Sequence, residues 1–383
     1  MPSLFKYRLS LLGALCFFLS SIEYIIPKPL PFIRLGIANL PLLIALDVLP
    51  FPFYFLLLLL KVTGQALITG TLFSYVFIFS LAGTLASGVL MYFLRQSLGK
   101  NKISLVGVST AGALASNGIQ LLLARYIIFG SSIRYMALPI MGLGIVTGII
   151  LGIICEVFIS RSIWYGSINN NQSHPVIEVF PQTKNKPSME LAIAALCMIP
   201  ALLFNPDTIG RIIQCLYFFL LAFLFKKKVK PFFSILTISV IVFFNLLMPY
   251  GEIIFSLGPF RITTGALNSG IRRAVTLTGL LMLSRACINK DLHLRGFFGE
   301  ILGEAFRIFA ILGENKVKIK SKDWIGSIDI ILLNTETQRH KENNELINIS
   351  VSSVSSVRGT IYSRLFLFLM VILAWIPFFV NFN

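Results

Sequence analysis

The runs ISLVGVSTAGALASNGIQLLLA (residues 103–124) and MALPIMGLGIVTGIILGIICEVFI (residues 136–159) carry one charged side chain between them, Glu156. A helix rises about 1.5 Å per residue, so each run is long enough to cross about 30 Å of hydrocarbon. The rest of the 383-residue chain has the same character, with 56% hydrophobic residues, 34 Phe and only 13% charged residues. An ordinary soluble domain carries roughly 25% charged residues. A chain this apolar cannot hide its surface from water, so the sequence predicts an all-α, polytopic helical membrane protein.

The net charge of +17 raises the question of nucleic acid. Its lysines and arginines sit at the ends of apolar segments and form no solvated face, a pattern that sets membrane orientation. The lipid bilayer is therefore the expected partner, and no nucleic acid is. Five cysteines (Cys16, Cys155, Cys197, Cys215, Cys287) fall singly inside apolar runs, which disfavours a disulfide framework or a zinc site. Lys6 and Arg8 precede an apolar run, but the Pro27, Pro29, Pro31 series makes a poor cleavage context, so a retained first helix is expected.

Six hydrophobic elements are predicted in residues 1–160, at about 8–27, 35–49, 51–71, 73–95, 103–129 and 136–160. The second and third are separated only by Asp47 to Pro52, whose prolines break the helix into a tight hairpin. Placing Lys6, Arg8, Arg95, Lys100, Lys102 and Arg161 on the cytoplasmic side of the cell (inner) membrane satisfies the positive-inside rule, with the N-terminus cytoplasmic. Residues 161–187, rich in Asn, Pro and Ser, are expected to be a cytoplasmic linker. A second helical membrane unit (188–383) then follows, with apolar elements at about 188–204, 208–225, 232–249 and 263–288 and an outer loop PYGEIIFSLGPFRI. About 290–312 the pattern predicts a cytoplasmic amphipathic arm lying on the membrane or on a partner. Residues 314–358 are expected to be poorly ordered, apart from a short strand or helix at Ile325 to Leu333, and 365–380 to be a last apolar helix.

Chemistry-bearing constellations are scarce. His174, His293 and His340 fall in linker or cytoplasmic segments, and no DDxxD-type cluster offers a Mg²⁺ cage. No catalytic residues, metal site or cofactor are therefore expected. Gly142, Gly144, Gly148 and Gly152 read as a small-residue face for helix packing rather than a phosphate loop. What stands out is a set of polar side chains at membrane depth: Glu23, Asn39, Asp47, Lys61, Gln65, Asn117 and Gln120. Charges there cost about 2.5–3.5 kcal/mol each on insertion scales, so they face a cavity or a partner, although interhelical hydrogen bonding alone accounts equally for Asn39, Asn117 and Gln120. Lys61 and Gln65 are four apart and Asn117 and Gln120 three apart, each pair on one helical face. With Arg34 at the outer mouth, Asn39, Lys61, Gln65, Asn117 and Gln120 predict a cavity of donors, with Glu23 as counter-charge, for a small polar or anionic molecule.

The stretches EYIIPKPLPFIRLGIANLPLLIAL, KVTGQALITGTLF and FSLAGTLASGVLMYFL resemble the Gx transporter family, also labelled heptaprenyl diphosphate synthase component I, over about residues 8–160. The most specific matches are Gly36 and Asn39, Gly64 and Gly70, and Ser80, Gly83 and Ser87. The resemblance implies helix-packing roles for Gly36, Gly64, Gly70, Gly83 and Ser87. The family often carries a basic residue where Lys61 stands, and tends to have His where this chain has Ser116. The family looks related in fold to the six-helix substrate-binding subunits of energy-coupling factor transporters. The second half, in FNPDTIGRIIQCLYFFLLAFLF, NLLMPYG and GPFRITTGALNSGIRRAVTLTGLLMLSRAC, resembles the transmembrane coupling subunit of those transporters, the cobalt and biotin permease type. That likeness makes Arg295, Arg307, Arg358 and Gly359 the candidates for coupling to ATPase subunits.

Taken together, these readings predict a fused substrate-binding and coupling component of an energy-coupling-factor-like importer, not itself an enzyme. No Walker A motif occurs in the chain, so separate ATPase subunits would power it. The alternatives are a noncatalytic component of a polyprenyl diphosphate synthase, or a membrane partner in a flavin-linked redox system.

Overall fold

The computed structural model describes residues 2–25, 36–99, 102–169, 186–227, 231–257, 260–288, 296–314, 325–326, 328–333 and 359–380. It is an all-α membrane protein. The first half contains α1 (Pro2–Ile25), a 3₁₀ turn (Ile37–Asn39), α2 (Leu40–Ala45), α3 (Phe51–Thr69), α4 (Tyr75–Leu98), α5 (Leu105–Ala124) and α6 (Arg134–Arg161). The second contains α7 (Ile163–Asn169), α8 (Lys186–Leu203), α9 (Thr208–Leu224), α10 (Pro231–Leu246), β1 (Ile253–Leu257), β2 (Phe260–Thr263), α11 (Thr264–Cys287), α12 (Phe297–Glu314) and α13 (Gly359–Phe379). In this arrangement α4 packs on α5, α5 on α6, α9 on α11 and α1 on α12. Among the described residues, four stretches are long and apolar enough to cross a membrane: Phe5–Tyr24, Phe51–Thr69, Tyr75–Leu98 and Leu105–Arg161, the last holding both α5 and α6. On α6 the side chains of Leu138, Val146 and Ile150 are at least half exposed, as a lipid-facing surface requires.

Local chemistry explains the boundaries. Pro50 and Pro52 open α3, and Gly70 closes it in the left-handed conformation at φ 66°. Ser104 accepts from the Gly107 N–H at the start of α5, and Glu156 of α6 accepts from the Leu105 N–H at 2.8 Å. Asp207 does the same for α9, accepting from Ile209 and Gly210. The helices then pack through glycines. A Cβ at Gly148 or Gly152 would lie 2.7 or 2.4 Å from the Thr110 or Val106 backbone of α5, whereas Gly142 faces open space. Phe17 of α1 fills the notch left by Gly64 of α3, where a Cβ would come within 2.0 Å of its ring.

Several expectations need correcting. The second predicted element is no continuous helix: Pro41 and the turn at Asp47 leave only the 3₁₀ turn and six-residue α2. The outer loop carries an antiparallel hairpin, β1 with β2, because Ile253, Ile254, Phe255, Phe260 and Ile262 favour extended backbone. Within the expected linker, Ile163–Asn169 is helical and α8 begins at Lys186. The short strand or helix expected at Ile325 to Leu333 is present as helix at 325–326 and 328–333, and Asp329 accepts from Ser162 Oγ and from the Ile163 N–H at 2.8 Å.

The largest correction concerns the amphipathic arm. The apolar face of α12 packs on α1 and α3 of its own chain. Ile301, Leu302, Ala305 and Ile308 are buried in the same core as Leu9, Leu12 and Phe17. Phe306 and Phe309 meet the Phe17 ring at centroid distances of 5.0 and 6.4 Å, and Lys6 pairs with Glu300 at 2.9 Å. The second core likewise crosses the sequence halves, uniting Tyr75, Phe79, Phe129 and Met136 with Met198, Phe218 and Met282.

Candidate functional site

A polar cavity of about 40 Å³ lies between α1, the 3₁₀ turn and α3 to α6. A water needs about 10–15 Å³ measured this way, so there is room for about three. Glu23 reaches it from the end of α1, almost wholly buried. Its carboxylate accepts from the Gly36 and Ala38 N–H groups, each at 3.4 Å, so the negative charge faces the N-terminal end of the turn and α2. Gly36 adopts φ 84°, which turns the chain so that these N–H groups point back at Glu23. Asn39 leaves the same turn, and its Oδ1 accepts from Lys61 Nζ.

The other wall is built by α4, α5 and α6. Thr84, Ser87 and Met91 line it from α4, and Ser109, Ala113, Ser116, Asn117 and Gln120 line it from α5. On α5 these are spaced as one helical face, and Thr147 and Leu151 close the wall from α6. Asn117 Nδ2 donates to the Ile140 carbonyl of α6 at 2.9 Å, and Gln120 Nε2 donates to Ser116 Oγ at 3.0 Å. The Ser87 hydroxyl is buried without a hydrogen-bond partner among the described residues.

Five of the seven expected substrate contacts thus share one cavity: Glu23, Asn39, Lys61, Asn117 and Gln120. Gln65, one turn beyond Lys61, does not line it, and Arg34 lies outside the described residues. Asn117 and Gln120 each give one of their two amide N–H donors to another helix group. Ser87 and Gly36, expected as packing residues, line the cavity themselves. Gly83 lets Gln120 approach, since a Cβ there would lie 2.5 Å from its Nε2. Gly70 sits against Arg285 of α11, where a Cβ would lie 3.3 Å from its Cα. Thr84, Ser109, Ser116 and Thr147 were missed by sequence reasoning. Their signal was a hydroxyl face at helical spacing inside runs that otherwise look like plain membrane helices.

Two further polar clusters lie outside the cavity. Asp47, in the turn after α2, forms a two-pronged pair with Arg95 of α4, from Nε at 3.2 Å and Nη2 at 2.9 Å. Arg95 also donates to the Ile103 carbonyl at 2.9 Å, tying the turn after α2 and the segment before α5 to α4. Beside this pair, burial pushes the Tyr165 phenol up to about 12, with Asp47 and Cys155 adding to the rise and Arg95 opposing it. Between the halves, Arg125–Phe129 form a π-helical turn whose Ile128 carbonyl accepts from Asn245 Nδ2 and Arg273 Nη1, both at 3.2 Å.

Among the expected coupling residues, Arg307 pairs with Glu304 on α12 at 3.4 Å and Gly359 begins α13. Arg295 and Arg358 lie outside the described residues.

Residues 12–158, which hold the whole cavity, match the family model for heptaprenyl diphosphate synthase component I. Residues 189–290 match a domain of unknown function (DUF8519). No curated protein and no solved structure matches the chain.

Proposed function

We propose that the chain is a membrane transport component that captures a small polar solute in the cavity between α1 and α6. In this reading residues 1–160 bind the solute, 161–187 link the two units, and 188–383 couple the first unit to separate ATPase subunits. The observation that carries it is the cavity, where Glu23, Asn39, Lys61, Asn117 and Gln120 converge inside an otherwise apolar bundle. Polar groups cost free energy at that depth and are retained chiefly where they bind or conduct something. The packing of α12 on α1 supports the coupling half, because α1 carries Phe17 against α12 and Glu23 at the cavity. A push on α12 therefore has a short packed path to the cavity wall. Membrane vesicles with and without co-expressed ATPases test this by uptake of radiolabelled nutrients. Uptake that requires the ATPases and falls on substituting Lys61 or Asn117 supports it, and uptake independent of both refutes it.

A second reading is a noncatalytic membrane component of a heptaprenyl or polyprenyl diphosphate synthase, favoured by the family description over residues 12–158. Catalysis would then belong to another chain. Co-purification with a synthase subunit that is inactive alone and active with this protein would establish it.

A further inference from the structure

The bonds already made around the cavity decide what kind of ligand it can take. Its ionisable lining residues, among the described residues, are Glu23 and Lys61, whose formal charges cancel. Glu23 is held by two backbone N–H groups, and Lys61 gives a hydrogen bond to Asn39. The amide of Asn117 is fixed in orientation, because the Ile140 carbonyl can only accept, so its N–H₂ points to α6 and its Oδ1 remains an acceptor. Ser87 contributes a hydroxyl that is 1% exposed and has no hydrogen-bond partner among the described residues. An ion entering such a site would bring a net charge into a buried space whose described lining holds no surplus opposite charge to meet it, which is strongly disfavoured.

We infer that the cavity selects an uncharged ligand group bearing N–H or O–H donors, such as a carboxamide, a urea or a hydroxyl, and rejects carboxylates and phosphates. The donor meets the Asn117 amide oxygen, and the Ser87 hydroxyl completes the contact. This rests on the reading of the cavity as a solute site. It narrows that reading away from the anionic ligands that the sequence also allowed, diphosphates included.

Acetamide and acetate make a matched pair of probes, alike in shape and differing in an N–H₂ against a charged oxygen. Saturation-transfer NMR on the full-length protein in lipid nanodiscs compares them, with wild type, Ser87→Ala and Thr84→Val. The Ser87 hydroxyl has no hydrogen-bond partner among the described residues, so Ser87→Ala leaves thermal stability unchanged or slightly higher, while acetamide binding weakens about tenfold. The expected result is acetamide binding well above acetate, with that loss in Ser87→Ala. Preference for acetate, sensitive to Ser87→Ala, would overturn the inference and leave the solute site standing. Equal signals from both probes in wild type and both variants would overturn the inference and the solute site together.

Discussion

Breaking the pair between Asp47 and Arg95 should unfold the first half at markedly lower temperature. Both side chains are less than a tenth exposed, and the carboxylate takes two charge-assisted bonds at 3.2 and 2.9 Å. Such bonds contribute about 1.5–3 kcal/mol each. Removing one partner of a buried pair leaves the other charge uncompensated and costs about 3–5 kcal/mol. At ~2 °C per kcal/mol, the low end for longer chains, Asp47→Leu or Arg95→Met alone lowers Tm by about 6–10 °C. The double substitution removes both charges together and should lose less than either single one. A thiol-reactive fluorophore in detergent reads this directly, because Cys16, Cys155, Cys215 and Cys287 are buried and react only on unfolding. Exposed Cys197 is replaced by serine to lower the background. Single variants within 2 °C of wild type, about 1 kcal/mol on this scale, would refute the reasoning. So would a double variant as unstable as the two singles summed.

Phe17→Ala should cost about 3–5 kcal/mol as a large-to-small core change and loosen α12, exposing Arg307 to trypsin in limited proteolysis; unchanged cleavage would argue against the docking of α12. Asn245→Leu with Arg273→Met strips the Ile128 carbonyl of both donors, a loss of about 1–3 kcal/mol that hydrogen exchange should register as faster exchange across 125–130. Tyr165 keeps its proton in the folded protein to about 12, while an unfolded tyrosine ionises near its ordinary value of about 10. Its contribution therefore favours unfolding as pH rises from about 10 to 12. Tyr165→Phe should flatten that part of the Tm–pH curve, and parallel curves would contradict it.

Long apolar runs were legible because lipid demands them: the limits expected for α3 to α6 fall within a few residues of those observed. Glu23, Asn39, Lys61, Asn117 and Gln120 were legible for the same reason, since each stands out in a segment that hydrocarbon penalises. Thr84, Ser87 and Ser109 were not, because a hydroxyl in a helix can bond its own preceding turn and so carries no such penalty on its face. Only the packing shows that Ser87 has no hydrogen-bond partner among the described residues. The docking of α12 on α1 was equally hidden. An amphipathic pattern states that one face must be covered, and membrane, partner and neighbouring helix satisfy it alike. Glycine reads as small in sequence, but which neighbour enters its notch, Phe17 at Gly64 or Gln120 at Gly83, is set by tertiary packing.

The central claim is that the cavity between α1 and α6 holds a small polar solute. Mass spectrometry of molecules extracted from the protein purified in mild detergent tests it most directly, comparing wild type with a Thr84→Val, Ser109→Ala variant that removes two cavity hydroxyls. The account predicts an uncharged, donor-bearing compound retained in near-stoichiometric amount by wild type and lost from the variant while its unfolding temperature holds. The same compound retained equally by both proteins would contradict it.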